Sequence, residues 1–269
     1  KFFLYGVLMK PSAKIIAVAN QKGGVGKTTT SINFSAALAQ KKKRVLLVDS
    51  DPQGNASSGV GVNMKKVKAH LYHAYSGGYS SSEVLRKSGV NYLDILPSSI
   101  DLVAAEIEMI NIDSRETKLK LLLEPLLQSY DYIIIDCPPS LGLLTVNALT
   151  SAHSVLIPMQ CEYFAMEGLA QLVNTIRSVK KSYNKLLYIE GLVLTMFDKR
   201  NRLTHQVAAE IKNHFNDQLF KTVIPRNVRL SECPSHGKTI IDYDKQSSGA
   251  LAYVNLANEF LTNQRKQND

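Results

Sequence analysis

Short runs of consecutive apolar residues recur along the chain, separated by longer segments whose apolar residues follow helical spacing. The apolar runs predict strands at residues 15–19, 45–49, 92–96, 132–136, 154–158, 188–195 and 220–224. In the run Ile133, Ile134 and Ile135, successive residues are apolar, so both faces of that strand are expected to be buried. Burial on both faces is typical of parallel sheets covered by helices.

The segments between these runs predict helices. The first helix begins after the loop that follows strand one and ends near Gln40, and others are predicted at 69–75, 81–87, 101–110, 115–127, 165–181, 205–215 and 248–262. Because strands and helices alternate, the pattern predicts an α/β fold: a mostly parallel twisted sheet flanked by helices on both faces.

No internal repeat, low-complexity segment or linker divides the chain, so one domain is predicted at residues 14–262. Residues 1–13 are interpreted as an N-terminal extension, disordered or loosely packed, with a membrane anchor as the alternative. Because only these residues precede Lys14, an N-terminal helix-turn-helix is not expected. Residues 263–269 form a polar C-terminal tail.

The net charge of the chain indicates which class of partner it binds. The 269 residues include 32 Lys and Arg against 23 Asp and Glu, a formal net charge of +9. This favours a polyanionic partner, either nucleic acid or an anionic membrane, although a merely basic surface is the alternative. The basic run at 41–44 is interpreted as a solvated helix end rather than a DNA site.

Other chemistry has little support in the sequence. The three cysteines are odd in number, widely spaced and without metal-ligand spacing, which favours a reduced cytoplasmic setting. No apolar run approaches the roughly 20 residues that span a bilayer. Nothing pairs a histidine with a serine or a cysteine, so the scattered histidines are interpreted as surface or capping residues: His205, His214 and His236.

A glycine-rich segment at residues 22–29 lies between the first predicted strand and helix, as a phosphate-binding loop requires. Its glycines let backbone N–H groups approach phosphate oxygens, and the following helix directs its positive end at them. Lys27 is expected to reach the β- and γ-phosphates and Thr28 to ligate Mg²⁺. The predicted nucleotide-binding residues here are Gly23, Gly24, Val25, Gly26, Lys27, Thr28 and Thr29. A second lysine, Lys22, is surplus to the usual loop.

Aspartates end two of the strands that follow. Carboxylates at the carboxyl ends of parallel strands lie at the crevice where ligands bind. Asp136 is therefore predicted to help hold the Mg²⁺, and Asp49 beside it to support the metal. A turn or capping role is the alternative for a lone aspartate. Asp51, in the loop after the second strand, is the candidate that orients the attacking water.

These segments together resemble the ParA/Soj family of chromosome- and plasmid-partitioning ATPases, within the wider MinD/ParA group. The matching stretches are ANQKGGVGKTTT at 19–30, VDSDPQGN at 48–55, IDCPPSLG at 135–142, EYFAMEGL at 162–169 and IPRNVRLSE at 224–232. The double-lysine loop, a deviant Walker A motif, is specific to the wider group. The stretches at 48–55 and 224–232 narrow the resemblance to the Soj-like branch. The resemblance covers residues 14–262.

The resemblance implies an ATP-bound homodimer in which two subunits sandwich both nucleotides and Lys22 reaches the partner's phosphates. It further implies that Pro225, Arg226 and Asn227 line the adenine side. Arg229 and Arg200 match family positions that bind DNA without sequence preference. The segment around Arg200 departs from the family pattern, so Arg202 is expected to share or take that role, and a solvated basic loop remains the alternative.

The function implied is a cytoplasmic, nucleoid-associated partitioning ATPase that uses ATP/ADP and Mg²⁺. Its partners would be non-specific double-stranded DNA and a ParB/Spo0J-like protein that stimulates hydrolysis. One alternative is a MinD-like membrane-cycling ATPase, but the C-terminal sequence is too polar for a membrane-binding helix, so no stable membrane association is expected. Another is a metabolic enzyme of the same fold, either an iron–sulfur protein like nitrogenase reductase or an amide-forming synthetase.

Overall fold

The computed structural model describes residues 3–4, 7–8 and 12–268. Its strands are β1 (Phe3–Leu4), β2 (Val7–Leu8), β3 (Lys14–Val18), β4 (Val45–Asp49), β5 (Arg86–Lys87), β6 (Leu93–Leu96), β7 (Tyr132–Asp136), β8 (Ser154–Gln160) and β9 (Tyr188–Thr195). β1 and β2 pair with each other in antiparallel orientation. The disorder predicted for residues 1–13 falls mostly outside the described residues and stays a prediction.

Twelve α-helices lie in the described part of the chain, some of them extended by short 3-10 turns. They are α1 (Lys27–Gln40), α2 (Asn55–Gly59), α3 (Leu71–Tyr75), α4 (Ser81–Val84), α5 (Leu102–Glu108), α6 (Lys118–Leu123), α7 (Leu143–Ser151), α8 (Ala165–Ser182), α9 (Arg202–Phe215), α10 (Val228–Glu232), α11 (Ile240–Tyr243) and α12 (Ser248–Asn268). α12 thus continues through most of the predicted polar tail.

The central sheet has seven strands in the order β5-β6-β4-β7-β3-β8-β9. All neighbouring strands are parallel except β5, which pairs with β6 in antiparallel orientation. Side chains alternate between two cores, one on each face: Ile133 and Ile135 of β7 belong to one core and Ile134 to the other. The predicted α/β class, with helices on both faces of a mostly parallel sheet, is confirmed.

Strand register places the site residues at one edge of this sheet. Asp49 and Asp136 are direct partners in the β4–β7 pair, and Val18, just before the phosphate loop, pairs with Asp136 on the other side of β7. Three neighbouring strands therefore deliver the loop and both aspartates to the same carboxyl edge.

Two predicted elements are wrong. The helix predicted at 81–87 ends at Val84, and β5 follows as a short antiparallel edge strand. The strand predicted at 220–224 does not form. The N–H groups of Phe220 and Ile224 donate to β9, but those of Lys221 and Thr222 donate to the Glu259 carboxylate of α12. Because these N–H groups already donate to Glu259, the segment cannot form the continuous backbone hydrogen bonds of a strand beside β9.

The sequence reasoning also left out several helices that frame the site. α7 was not predicted because its residues are almost uniformly apolar or small, and the helix is buried along most of its length. The short helices α2, α10 and α11 have only four or five residues each, too few for a periodic pattern to emerge.

Candidate active site

The phosphate loop connects β3 to α1, and its glycines adopt conformations that other residues rarely reach. Gly24 and Gly26 have φ angles of 74° and 83°, in the left-handed region. A side chain at Gly23 or Gly24 would meet no atom within 4 Å, so the space in front of both is open. Thr195 of β9 donates its hydroxyl to the Val25 carbonyl at 2.8 Å and fixes the loop to the sheet.

This loop forms one wall of a cleft of about 370 Å³. Asp51 and Gln53, from the loop after β4, and Pro139, from the loop after β7, contribute the opposite side. The predicted residues Gly23, Gly24, Gly26, Lys27, Thr28, Thr29 and Asp51 all line this cleft. Val25 is buried beneath it.

The two lysines of the loop have different surroundings. Lys27 is buried and donates to the Lys22 carbonyl at 3.1 Å. Burial lowers the pKa of Lys27, and Asp136 is the strongest of the acidic groups that oppose this shift. The Lys22 ammonium instead forms an ion pair with Glu162, which precedes α8. Lys22 thus contributes its backbone, but not its ammonium group, to the surroundings of Lys27.

Asp136 carries a free acceptor in a buried position. Its Oδ1 accepts a hydrogen bond of 2.7 Å from the Ser31 hydroxyl, whereas its Oδ2 is buried without a hydrogen-bond partner. Burial, and then the neighbouring Asp49 carboxylate, raise the pKa of Asp136. A cation, or water bound to one, would satisfy both the orphaned oxygen and the buried charge, so Asp136 and the nearby Thr28 fit a Mg²⁺ site.

Both oxygens of the Asp49 carboxylate accept hydrogen bonds from the segment that follows β4. Its Oδ2 accepts bonds from the Ser57 N–H at 2.7 Å and the Ser57 hydroxyl at 2.6 Å, and its Oδ1 accepts from the Asp51 N–H at 3.3 Å. Both oxygens therefore bind the segment that carries Asp51. The carboxylate connects β4 to this loop and to α2, while its role at a metal stays a prediction.

A second cleft, of about 270 Å³, adjoins the first, and Gly26, Thr29 and Met196 line both. The residues predicted for the adenine side, Pro225, Arg226 and Asn227, all line it. Met196 holds a left-handed φ of 49°, uncommon for a residue with a side chain. The Asn227 amide donates to Ser248 at 2.8 Å, and its Oδ1 is buried without a partner.

The three arginines predicted to bind DNA lie in two neighbouring segments. Phe197 and Pro225 form a parallel bridge, so the loop that carries Arg200 and precedes α9 runs beside the segment that leads to Arg229. Arg200 is exposed and paired with Asp198 at 3.0 Å, and Arg202 is the exposed first residue of α9. Arg229 pairs with Glu232 at 2.9 Å and with Asp244 at 3.8 Å.

Residues that the sequence reasoning did not assign also shape the site. Ser31 lies four residues after Lys27, hence on the same face of α1, and that spacing could have identified it. Ser57 and Glu162 act through contacts between distant segments, for which the sequence carries no signal.

The described residues give little support for other kinds of functional site. The three cysteines are buried and unpaired. Within residues 12–266, no three His, Cys, Asp or Glu side chains cluster in a way that could hold a metal ion. Among the described helices, none combines the length and apolarity that crossing a bilayer requires.

Comparison with known proteins agrees with this geometry. A family model described as an AAA domain matches residues 13–189. The chain is 56% identical to the sporulation initiation inhibitor protein Soj of Bacillus subtilis (strain 168), over 93% of this chain and 99% of that protein. It is 52% identical to the chromosome partitioning protein ParA of Myxococcus xanthus (strain DK1622), over 92% of this chain and 88% of the other.

Among solved structures, the fold is similar to cobyrinic acid a,c-diamide synthase from Mycobacterium smegmatis with a bound ATP analogue and magnesium. The TM-score is 0.82 and the identity 35%, and the match covers 94% of this chain and 96% of that chain.

Proposed function

Because the chain belongs to the ParA/Soj family of chromosome-partitioning ATPases, we propose that it is an ATP-switched partitioning protein. Its ATP-bound homodimer would hold DNA without sequence preference and release it after hydrolysis stimulated by a ParB-like partner. The observation that carries this proposal is the joined pair of clefts, with Lys27 at the phosphate end and the unpartnered Asn227 oxygen at the other. The shape and polarity of this site suit a purine nucleotide whose base carries an amino group.

The residues of the first cleft divide the chemistry between them. The loop amides and the Lys27 ammonium neutralise the phosphates, and Thr28 and Asp136 would hold Mg²⁺ through the threonine hydroxyl and the free carboxylate oxygen. When bound, Mg²⁺ neutralises charge that develops on the phosphates. Asp51 orients the attacking water, and Asp49 fixes the Asp51 loop through its backbone.

Lys22 is proposed to act on the partner subunit's nucleotide. Lys22 is not among the residues that line its own phosphate cleft, and its ammonium is paired with Glu162, although it belongs to the same loop as Lys27. A lysine that crosses a dimer interface adds positive charge where the transition state gathers negative charge. ATP would then bridge the subunits, and hydrolysis would remove that bridge.

DNA binding is proposed for the surface that carries Arg200, Arg202 and Arg229. These side chains are exposed, and the whole chain has a net charge of +9. Lysine and arginine contacts to the phosphate backbone make binding strongly salt-dependent and independent of sequence. A protein held in this way would be cytoplasmic and associated with the nucleoid.

The test separates the nucleotide state from DNA binding. The Asp51→Ala variant is run on gel filtration with ATP and, separately, with ADP, and each peak is mixed with unrelated duplex DNA in a band-shift assay. The proposal expects a dimer with ATP that shifts DNA at low salt and a monomer with ADP that does not. A dimer that forms equally with ADP, or an ATP dimer that fails to bind DNA, would contradict it.

A further inference from the structure

Positive charge is distributed unevenly along the chain. Residues 1–82 contain 12 Lys and Arg but only two acidic residues, Asp49 and Asp51, and both of these lie at the nucleotide site. Residues 83–269 contain 20 Lys and Arg against 21 Asp and Glu, although they include the three arginines of the proposed DNA surface. The excess of positive charge therefore lies elsewhere in the molecule.

Six lysines of the first part belong to one end of the central sheet. We propose that they form a second DNA-binding surface, through which the ATP-bound dimer joins another duplex to the one held by its arginines. Five of the six are exposed, and none forms an ion pair with another residue of the described chain. This set, called the lysine edge, consists of Lys41, Lys42, Lys43, Lys65, Lys66 and Lys68.

Contacts at both ends of residues 60–69 place three of these lysines beside β5, the outermost strand at this end of the sheet. The Gly89 N–H donates to the Val60 carbonyl at 3.1 Å, and the Arg86 guanidinium donates to the Ala69 carbonyl at 3.3 Å. Because β5 begins at Arg86 and ends just before Gly89, the segment between these contacts runs along the free side of the strand.

The other three lysines lie at the amino edge of the same end of the sheet. They follow Gln40, where α1 ends after 14 residues, roughly 21 Å from the phosphate loop. The adjoining Arg44 lines a depression of about 710 Å³ together with Lys87 of β5. Basic residues suit the negative end of α1, as interpreted from the sequence, but their position beside a second group of lysines depends on the fold.

Nearby acidic side chains do not neutralise the lysine edge. Asp131 pairs with Arg44 and Asp94 pairs with Lys87, each at 2.9 Å. Residues 52–82 contain no acidic residue. The six lysines therefore repel one another without compensation from the chain, and an external polyanion would relieve that repulsion.

The residue types favour the backbone of duplex DNA as the ligand. Lysine binds phosphate as a point charge and does not read base sequence. Single-stranded nucleic acids are typically held by stacked aromatic side chains, and residues 41–44 and 64–68 contain none. Membrane binding requires apolar side chains that insert, whereas Met64 and Val67 are half-buried. The choice of DNA rests on the proposed function, but the concentration of charge does not.

The two DNA surfaces lie at different places on the molecule. Arg229 belongs to α10, which helps line the base cleft, while Arg200 and Arg202 follow β9 at the other end of the sheet from β5. With neighbouring strands about 4.8 Å apart, β5 and β9 are separated by roughly 29 Å. Two duplexes can therefore contact one dimer without competing for the same side chains.

A capture assay tests the second surface. A biotinylated duplex of about 30 base pairs is fixed on streptavidin beads, and protein is added with a non-hydrolysable ATP analogue at about 50 mM salt. After washing, a fluorescein-labelled duplex of unrelated sequence is added, and the retained fluorescence is measured. The two lysine-edge variants are Lys41→Gln/Lys42→Gln/Lys43→Gln and Lys65→Gln/Lys66→Gln/Lys68→Gln.

The matched control carries the same change in net charge near the end of α8, which packs on the opposite face of the sheet from α1. It replaces three exposed lysines that form no ion pair with another described residue: Lys180→Gln/Lys181→Gln/Lys185→Gln. The Arg229→Glu variant reports on the first surface.

The wild type and the control should capture the labelled duplex with the ATP analogue but not with ADP. Each lysine-edge variant should still bind the fixed duplex, while capture of the second duplex falls about tenfold or more. The reason is that each lost phosphate contact lowers the slope of log affinity against log salt by about 0.9. Undiminished capture by the lysine-edge variants, or an equal loss in the control, would overturn the proposal.

Binding of the fixed duplex supplies the remaining outcomes. If the lysine-edge variants lost it as completely as Arg229→Glu, the lysines would belong to the first surface and the proposal would be wrong. A wild type that binds the fixed duplex but captures no second one would also overturn it, while leaving the proposed function intact. Capture that needs the lysine edge but is equal with ADP would support this surface and contradict the proposed ATP switch.

Discussion

Replacing Ser57 by alanine tests how the site holds the loop that carries Asp51. The Ser57 hydroxyl donates to the buried Asp49 carboxylate at 2.6 Å and accepts from the Ser98 N–H at 3.0 Å. A hydrogen bond to a charged group contributes roughly 1.5–3 kcal/mol, and an orphaned buried N–H costs about 1–3 kcal/mol. Because the two losses share one atom and are not fully additive, we expect the free energy of unfolding to fall by about 3 kcal/mol at pH 7.5.

The pH dependence of this loss follows from the pKa of Asp49, which burial raises to about 7. The folded state therefore binds more protons than the unfolded state between about pH 4 and 7, and stability falls as pH rises through that range. A protonated, uncharged Asp49 is destabilised less than a carboxylate when a hydrogen-bond donor is removed. Ser57→Ala should therefore lower the free energy of unfolding by less at pH 5 than at pH 7.5.

Urea unfolding of the nucleotide-free protein at both pH values measures this cost. Ser58→Ala is the matched control, because the exposed Ser58 hydroxyl bonds only to helix carbonyls, at 3.3 Å, and should change stability by less than about 0.5 kcal/mol. With ATP, Ser57→Ala should retain nucleotide affinity but hydrolyse slowly, since Asp51 loses its support. A Ser57→Ala variant as stable as Ser58→Ala at pH 7.5, or one equally destabilised at both pH values, would refute the reasoning.

Three further substitutions test separate parts of the site. Lys22→Ala should still bind a fluorescent ATP analogue but remain a monomer on gel filtration with ATP; a stable dimer would count against a role across the interface. Arg229→Glu should weaken DNA binding in band shifts while the ATP dimer persists on gel filtration. Loss of both DNA binding and the dimer would indicate a structural role. Asn227→Ala should bind ATP about tenfold more weakly and lose any preference for ATP over ITP, which lacks the amino group; an unchanged preference in competition titrations would exclude Asn227 from base recognition.

The fold was predictable where burial dominated. Runs such as Ile133–Ile134–Ile135 are apolar at successive positions because both faces of the sheet are covered, and the predicted bounds of β4 and β7 agree with the structure. The prediction failed where a distant group intervened. The segment at 220–224 is apolar enough for a strand, but the Glu259 carboxylate takes two of its N–H groups.

The site was predictable as far as local spacing reached. The phosphate loop, Asp51 and Asp136 were each predicted from a short motif of neighbouring residues, and the structure brings these separate segments to one cleft or its edge. The orientation of Asp49 toward Ser57 could not be inferred, because it depends on where α2 begins. The pairing of Lys22 with Glu162 joins residues 140 positions apart and needs the full fold.

The most direct test of a site shared between two subunits is to mix two inactive variants, Lys22→Ala and Asp51→Ala, and to measure ATP hydrolysis. In a mixed dimer, the nucleotide bound to the Lys22→Ala subunit meets an intact Asp51 in that subunit and an intact Lys22 from its partner. We expect each variant alone to be inactive and the equimolar mixture to recover activity, with about a quarter of the wild-type value as the upper limit. That limit holds for random pairing, and the recovered activity falls below it because a mixed dimer has only one Lys22 to bridge the subunits. A mixture in which a tag on one variant retains the other with ATP, but which is as inactive as its components, would contradict the shared site, because a lysine acting within its own subunit cannot be supplied by the other.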